Sequence, residues 1–365
     1  MGRPAMSGQT RSRSWQASLT RQTWTAFVAA LAFVLVAVGM VTLPVPYVSW
    51  TPGSTTNTLG KVGNTPVIKI SGTTSYPTTG ELSLTTVSET RADSRLSLPE
   101  ALLSYWLPHR DTMPRDIVYP PGKTADQVNS EQRVMMETSQ DNSVVAALRA
   151  AGQRIVQRPA VSSVTVGSSS YNKLQPGDLI VSINGTDVTT NDQAAELIRD
   201  RRPGSTLIFE VLRDRKQKLI KVARGADDES NTDQLSGITI GNGYQYGPKI
   251  SFDLGEEIGG PSAGLVFSLA IYDKITPGPL LAGRRVAGTG TISADGTVGP
   301  IGGIQQKIGA ATSGGATVFL VPAANCEDLA GLKTDLQLIK VGTLQDAIGA
   351  LDDLNDHHTA DLPHC

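Results

Sequence analysis

Residues 259–264 read Gly-Gly-Pro-Ser-Ala-Gly, and an apolar run, Ser262 to Tyr272, follows them. Two glycines and a proline ahead of a serine permit close approach of a substrate backbone and unusual φ values. A helix beginning at Ser262 would aim its first N–H groups, and the positive end of its dipole, at anything bound there. Such a place suits a nucleophile with an oxyanion site. The same hexapeptide also reads as a turn closed by an N-cap serine, so the rest of the chain has to decide.

A serine nucleophile needs a base. Gly260-Pro-Ser-Ala-Gly264 satisfies the G-x-S-x-G elbow of α/β-hydrolases, whose mechanism requires a histidine after the serine. The chain has four histidines, His109, His357, His358 and His364, and the last three fall in a polar tail. A histidine-dependent esterase is therefore disfavoured. Lysine is the alternative, because burial lowers its pKa until the neutral amine can accept a proton. Lys274 is twelve positions beyond Ser262 on the same helix, about 18 Å away, and cannot reach it. Lys333 and Lys340 stand in polar surroundings, while Lys249 opens a nearby strand and stays a candidate. Lys307 differs, since it follows a glycine-rich loop and shares a helix with Ile304, Ile308, Ala310 and Ala311. A lysine among apolar and small side chains is costly unless its charge is removed or paired. A snorkelling surface lysine fits that pattern as well.

These residues need elements to hold them. From about residue 236 short strands alternate with helices, as in an α/β or α+β domain. Lys249–Asp253 and Arg285–Ile292 are expected strands, Ile304–Ala311 a helix, and Ala316–Val321 and Leu336–Val341 buried strands. Upstream, Val67–Ile70 and Leu82–Val87 read as strands between Gly and Pro turns. Residues 98–107 read as a helix opened by a Ser97/Glu100 capping box, and 124–152 as a longer helix stopped at Gly152. Pro120-Pro-Gly-Lys-Thr124 imitates a P-loop, but the glycine due at position 117 is an isoleucine, so no ATPase is expected from it.

Overall charge is nearly balanced, 32 basic against 34 acidic residues, which gives no nucleic-acid signal. The first fifty residues hold Arg3, Arg11, Arg13 and Arg21 and no acid, and Trp24–Leu43 carries no charge. Twenty such residues span about 30 Å as a helix, the thickness of a bilayer core. Preceding arginines place the N-terminus in the cytoplasm and the remainder outside it. An uncleaved anchor is the preferred reading over a signal peptide cut after Ala37-Val-Gly39. The two cysteines, Cys326 and Cys365, make no disulfide framework, and with Cys365 at the last position no bridge is expected. No metal cluster and no cofactor are expected; residues 353–365 read as a flexible, solvated tail.

Residues 153–224 resemble a PDZ domain, most specifically through Leu174-Gln-Pro-Gly-Asp-Leu-Ile-Val-Ser-Ile-Asn-Gly185, where Asn184-Gly185 marks a tight hairpin. The resemblance implies binding of extended peptides by strand addition, in a groove between the strand at 161–166 and the helix at 192–201. The glycine-rich carboxylate loop of such domains is replaced by Gln157-Arg-Pro-Ala160. A linker is expected at 225–235.

GGPSAG, then Ala287-Gly-Thr-Gly-Thr-Ile292, then Asp295-Gly-Thr-Val-Gly-Pro-Ile-Gly-Gly-Ile-Gln-Gln-Lys307, in that order, resemble the proteolytic domain of the Lon family. The resemblance implies Ser262 as nucleophile, Lys307 as its general base and Thr289 as a support that orients the lysine. It implies a proteolytic domain over 236–352, preceded by a cytoplasmic stretch 1–23, an anchor 24–43 and a mixed region 44–152. Oxyanion donors would be the Ser262 amide with that of Gly259 or Gly260, because Pro261 has no N–H. Where ATP-dependent members carry an acid three positions before the serine, this chain has Gly259. Taken together, the parts resemble ATP-independent, membrane-anchored Lon-like serine proteases. That implies a multi-domain α+β chain acting on membrane or exported proteins, with hexameric assembly possible by the same resemblance. A non-catalytic PDZ scaffold with a degenerate hydrolase domain is the alternative.

Overall fold

The computed structural model describes residues 21–91, 93–225, 234–254, 258–358 and 362–365. Arg3, Arg11 and Arg13, on which the expected orientation across a membrane rests, lie outside the described residues, as does most of the expected linker.

In chain order, α1 (Arg21–Thr42) leads into β1 (Pro44–Val45) and β2 (Tyr47–Asn57). Next come β3 (Ile68–Ser71), β4 (Glu81–Glu89), β5 (Leu96–Ser97), α2 (Leu98–Trp106) and β6 (Asp111–Pro114). The long α3 (Ala125–Ala150) precedes β7 (Val156–Val164), β8 (Leu179–Ile183), α4 (Asn191–Arg199), β9 (Thr206–Arg213) and β10 (Lys216–Ala223). Then follow β11 (Gln234–Leu235), β12 (Ile238–Gln245), β13 (Lys249–Phe252), α5 (Gly264–Ile275), β14 (Arg285–Gly288) and α6 (Ile304–Ser313). β15 (Val318–Pro322), β16 (Gln337–Val341) and α7 (Leu344–Asn355) complete the series.

The chain divides into two compact units, residues 1–50 with 89–121 and residues 51–88 with 122–365. In the first, α1 is an apolar helix of 22 residues, none of them buried, long enough to cross a bilayer. Its chain continues into β1, which pairs antiparallel with β5 (Pro44↔Ser97, Val45↔Leu96). Helix α2 opens on the expected Ser97/Glu100 capping box with proline in its first turn, and Pro108 follows its end. The start of β2 pairs with β6, Tyr47 opposite Pro114.

In the second unit the strand order β16-β15-β14-β4-β2 builds one sheet, with β4, β14, β15 and β16 parallel. All five residues of β15 are buried. Val318 and Leu320 face a core shared with α5, α7 and α3, while Phe319 and Val321 face a second core under α6. A continuous apolar strand is what a sheet covered on both faces demands. Residues 51–88 and helix α3 thus pack in one unit with the segment after 246, and the expected mixed region 44–152 is divided between the two units. Leu82 and Leu84 of β4 are buried in that first core, and β4 is set in place by its ladder with β14, in which Leu84 pairs with Gly288. A partner some two hundred positions away leaves no mark on the local sequence pattern.

The segment between α3 and β13 forms its own sheet, ordered β10-β9-β8-β7-β12-β11, over a core that includes Val161, Ile180, Ile198 and Phe209. Asn184 and Gly185 take the positive φ values, 52° and 81°, of the expected hairpin turn. Helix α4, expected over 192–201, is capped by Thr190 and ends at Arg199.

Two expectations about the ends of the chain are overturned. Cys326 and Cys365 form a disulfide, and Leu362 is buried in the core while the Lys340 amide donates to the Pro363 carbonyl. The last residues are fastened along β16, because the bridge and the buried leucine hold a stretch whose composition is polar. The P-loop imitation resolves into a helix start: Thr124 caps α3 with Gln127, and Lys123 pairs with Glu131 at 2.7 Å.

Candidate active site

The carboxyl ends of parallel strands open crevices where α/β proteins place ligands. Here β4 and β14 run side by side, and the residues just past the Leu84–Gly288 pair are Thr85 and Thr289. Helix α5 arrives at the same place. It begins at Gly264 behind Ala263, which gives it no side-chain cap, so Ser262 stands before the helix rather than opening it. Gly264 is required by crowding, since a Cβ there would lie 2.6 Å from Ile292 Cγ2 and 2.9 Å from Ser139 Oγ.

Helix α6 brings the candidate lysine. It starts after Gly303, a left-handed residue with φ 70°, and its fourth residue is Lys307. The lysine is 4% exposed. Its Nζ lies 3.1 Å from Ser262 Oγ and donates to the Thr85 carbonyl at 2.8 Å. Burial pushes the amine down to about 8, since removing water penalises the ammonium form. The competing lysines are elsewhere: Lys249, Lys333 and Lys340 are exposed, and Lys274 donates to the Leu59 carbonyl.

Thr289, the expected support, is buried beside the serine loop. Its hydroxyl donates to the Ser262 carbonyl at 3.0 Å, and the Gly290 amide donates to the same oxygen at 2.9 Å. The hydroxyl thus contacts the main chain of the serine, on the peptide after Ser262. The glycine pair is partly reassigned. Gly260, at φ 84°, donates its amide to the Gln132 carbonyl, which withdraws it from the expected oxyanion donors. Among the described residues the amides of Gly259 and Ser262 have no such acceptor. A Cβ at position 259 would stand 3.2 Å from Gln132 Cβ, so any larger residue there would press on α3.

Three contributors escape a reading of the sequence. Thr85 acts through a backbone carbonyl, which no residue type announces. Gln132 likewise acts through its backbone. Ser139 left a signal: it sits on the buried stripe of α3 with Met136 and Ser143, where a polar residue needs a partner. That partner is the Pro261 carbonyl, 2.9 Å away.

Residues 257–351 match the family model of the Lon protease C-terminal proteolytic domain. The chain carries a Lon-type proteolytic domain. Residues 132–223 match the PDZ domain model. The Lon-type segment is 39% identical over 93 residues to a Lon protease of Rhizobium meliloti (strain 1021), covering 24% of this chain and 11% of that protein. It is 36% identical over 103 residues to Lon protease 2 of Bacillus subtilis (strain 168), covering 28% and 18%. The chain thus spans less than a fifth of the length of these relatives. A PDZ domain of an SdrC-like protein from Listeria monocytogenes is 24% identical, covering 23% of this chain and 86% of that one, with a TM-score of 0.21.

In sequence, the PDZ segment lies within the second unit, whose other sheet takes β4 from before it and β14 to β16 from after it. The expected peptide groove beside β7 is not open. β7 meets β8 on one edge and β12 along eight residues on the other. Helix α4 packs against β7, β8 and β12, and Asn191 Nδ2 at its start donates to Asn242 Oδ1 at 2.9 Å. Beyond the two residues paired with β11, the outer edge of β12 carries no further strand among the described residues.

Proposed function

We propose that this chain is a membrane-tethered serine endopeptidase that works without ATP, with Ser262 as nucleophile and Lys307 as general base. The observation that carries the reading is the buried Lys307 amine 3.1 Å from Ser262 Oγ. A neutral amine keeps two N–H bonds and one lone pair. One N–H is directed to the Thr85 carbonyl, which turns the lone pair toward the serine hydroxyl. Lys307 takes the hydroxyl proton as Oγ attacks the peptide carbonyl carbon, and returns it to the departing amine. Water, deprotonated by the same lysine, then releases the acyl group. The Ser262 amide is the central oxyanion donor, with Gly259 as the second.

The match of residues 257–351 supports the peptidase class, and α1 supports a tether. The arginines ahead of α1 favour a cytoplasmic N-terminus and a catalytic domain outside, acting on membrane or exported proteins. ATP independence agrees with the engagement of Lys123 and Thr124 in an ion pair and a helix cap. The PDZ segment selects or gates substrates by adding a peptide strand to the outer edge of β12. Assembly into a hexamer belongs to the same reading.

Cleavage of an unfolded protein substrate by the purified full chain, without nucleotide, tests the proposal. Ser262→Ala and Lys307→Arg each abolish turnover, because arginine cannot accept the proton. Full turnover by Lys307→Arg would exclude the dyad.

A further inference from the structure

Helix α2 exposes much of its apolar surface. Ala101 and Ser104 are its buried residues, whereas Trp106 is 72% exposed, Tyr105 68% and Leu103 54%, and Leu98, Leu102 and Leu107 are exposed with them. At 100° per residue these positions sweep a continuous arc from Tyr105 through Leu98, Leu102 and Trp106 to Leu103. Glu100, the helix's acidic residue, turns back to accept from the Ser97 amide and hydroxyl at 2.9 and 2.8 Å. A patch of this composition is too apolar to face water alone.

Its position in the unit says what covers it. α1 ends at Thr42, and two residues later Pro44 pairs with Ser97, the residue immediately before α2. Paired residues of an antiparallel ladder lie about 5 Å apart, so α2 begins within one ladder spacing of the chain's exit from α1. It also packs against α1 and β1 within that unit. Trp and Tyr on one face, beside the end of a membrane span, suit the headgroup level, where an apolar ring and a polar edge are both satisfied. The structure assigns α2 as a second membrane contact: we infer that it lies in the lipid interface with Leu102, Leu103, Tyr105 and Trp106 inserted. This rests on the reading of α1 as a membrane span. The consequence is a unit fixed to the bilayer at two places, which limits how freely it pivots about α1.

Lipid quenching of tryptophan separates the two ideas. The full chain is reconstituted in phosphatidylcholine–phosphatidylglycerol vesicles, with or without bromine near the top of the acyl chains. Difference spectra against Trp106→Phe isolate Trp106, and those against Trp24→Phe isolate a residue of α1. Loss of Trp106 emission in the brominated vesicles, together with loss at Trp24, supports the interfacial helix. Loss at Trp24 with Trp106 untouched, as when a second copy of the chain covers the patch, overturns it and leaves the span standing. No loss at either overturns both. Trp106 is exposed, so its replacement by phenylalanine leaves the fold intact.

Discussion

Ser139 donates its hydroxyl to the Pro261 carbonyl at 2.9 Å, across 122 positions of chain. That carbonyl and the Ser262 N–H are opposite ends of one planar peptide unit, so the bond sets the direction in which the N–H points. Ser139→Ala is expected to lower kcat roughly tenfold, the worth of one well-placed hydrogen bond, with KM little changed. Steady-state kinetics on a peptide substrate checks it, with thermal unfolding to show that the variant is folded. An equal rise in KM with kcat preserved would assign Ser139 to substrate binding instead.

The lysine predicts a pH profile. Lys307 must be neutral to accept a proton, and burial holds it at about 8 rather than 10.5. Activity therefore rises with pH through about 8 and levels off above it; a limb above pH 10 would count against Lys307 as the base. The same shift has a sign in stability. Between about 8 and 10.5 the unfolded chain binds more protons at this site than the folded one, so its contribution to stability improves as pH rises through that window.

Thr289 offers a test of its role. Thr289→Val keeps the shape but removes the donor to the Ser262 carbonyl, leaving the Gly290 amide as its partner. The expected result is a lower kcat at an unchanged apparent pKa. Were Thr289 orienting the lysine, the pH limb would move as well. Thr289→Ser, which retains the hydroxyl, recovers most of the activity.

For the PDZ segment, titration with a hydrophobic peptide followed by amide NMR should perturb residues 238–245 and 191–199. Strand β7, with both edges paired, should shift less. Perturbation centred on 156–164 would return the groove to the place expected from sequence.

The Cys326–Cys365 bridge closes a loop of 39 positions. Loop-closure entropy gives such a bridge about 3–4 kcal/mol. Cys365→Ser should therefore lower the unfolding midpoint of the proteolytic domain and expose the chain end beyond α7 to proteases. An unchanged midpoint would mean that Leu362 and the Pro363 hydrogen bond suffice to hold it.

What the sequence determined by itself was chemistry expressed in residue types and short spacings. The glycine-flanked Ser262, the lysine on an apolar helix, the 24–43 apolar stretch and the Asn184-Gly185 turn are local features. Each reflects a local cause: backbone freedom, the energy of a buried charge, bilayer thickness or turn geometry. The tertiary structure decided everything that depends on pairing across long separations. It set β4 beside β14, so that the Thr85 carbonyl reaches Lys307, and it laid α3 against the serine loop, so that Gln132 and Ser139 grip it. It also paired both edges of β7 and left the outer edge of β12 beyond Thr239 without a partner strand among the described residues, and tied Cys365 to Cys326. Strand pairing and backbone acceptors are satisfied by position rather than by side-chain identity. A strand's apolar pattern shows that it must be covered, and only the folded chain decides by what.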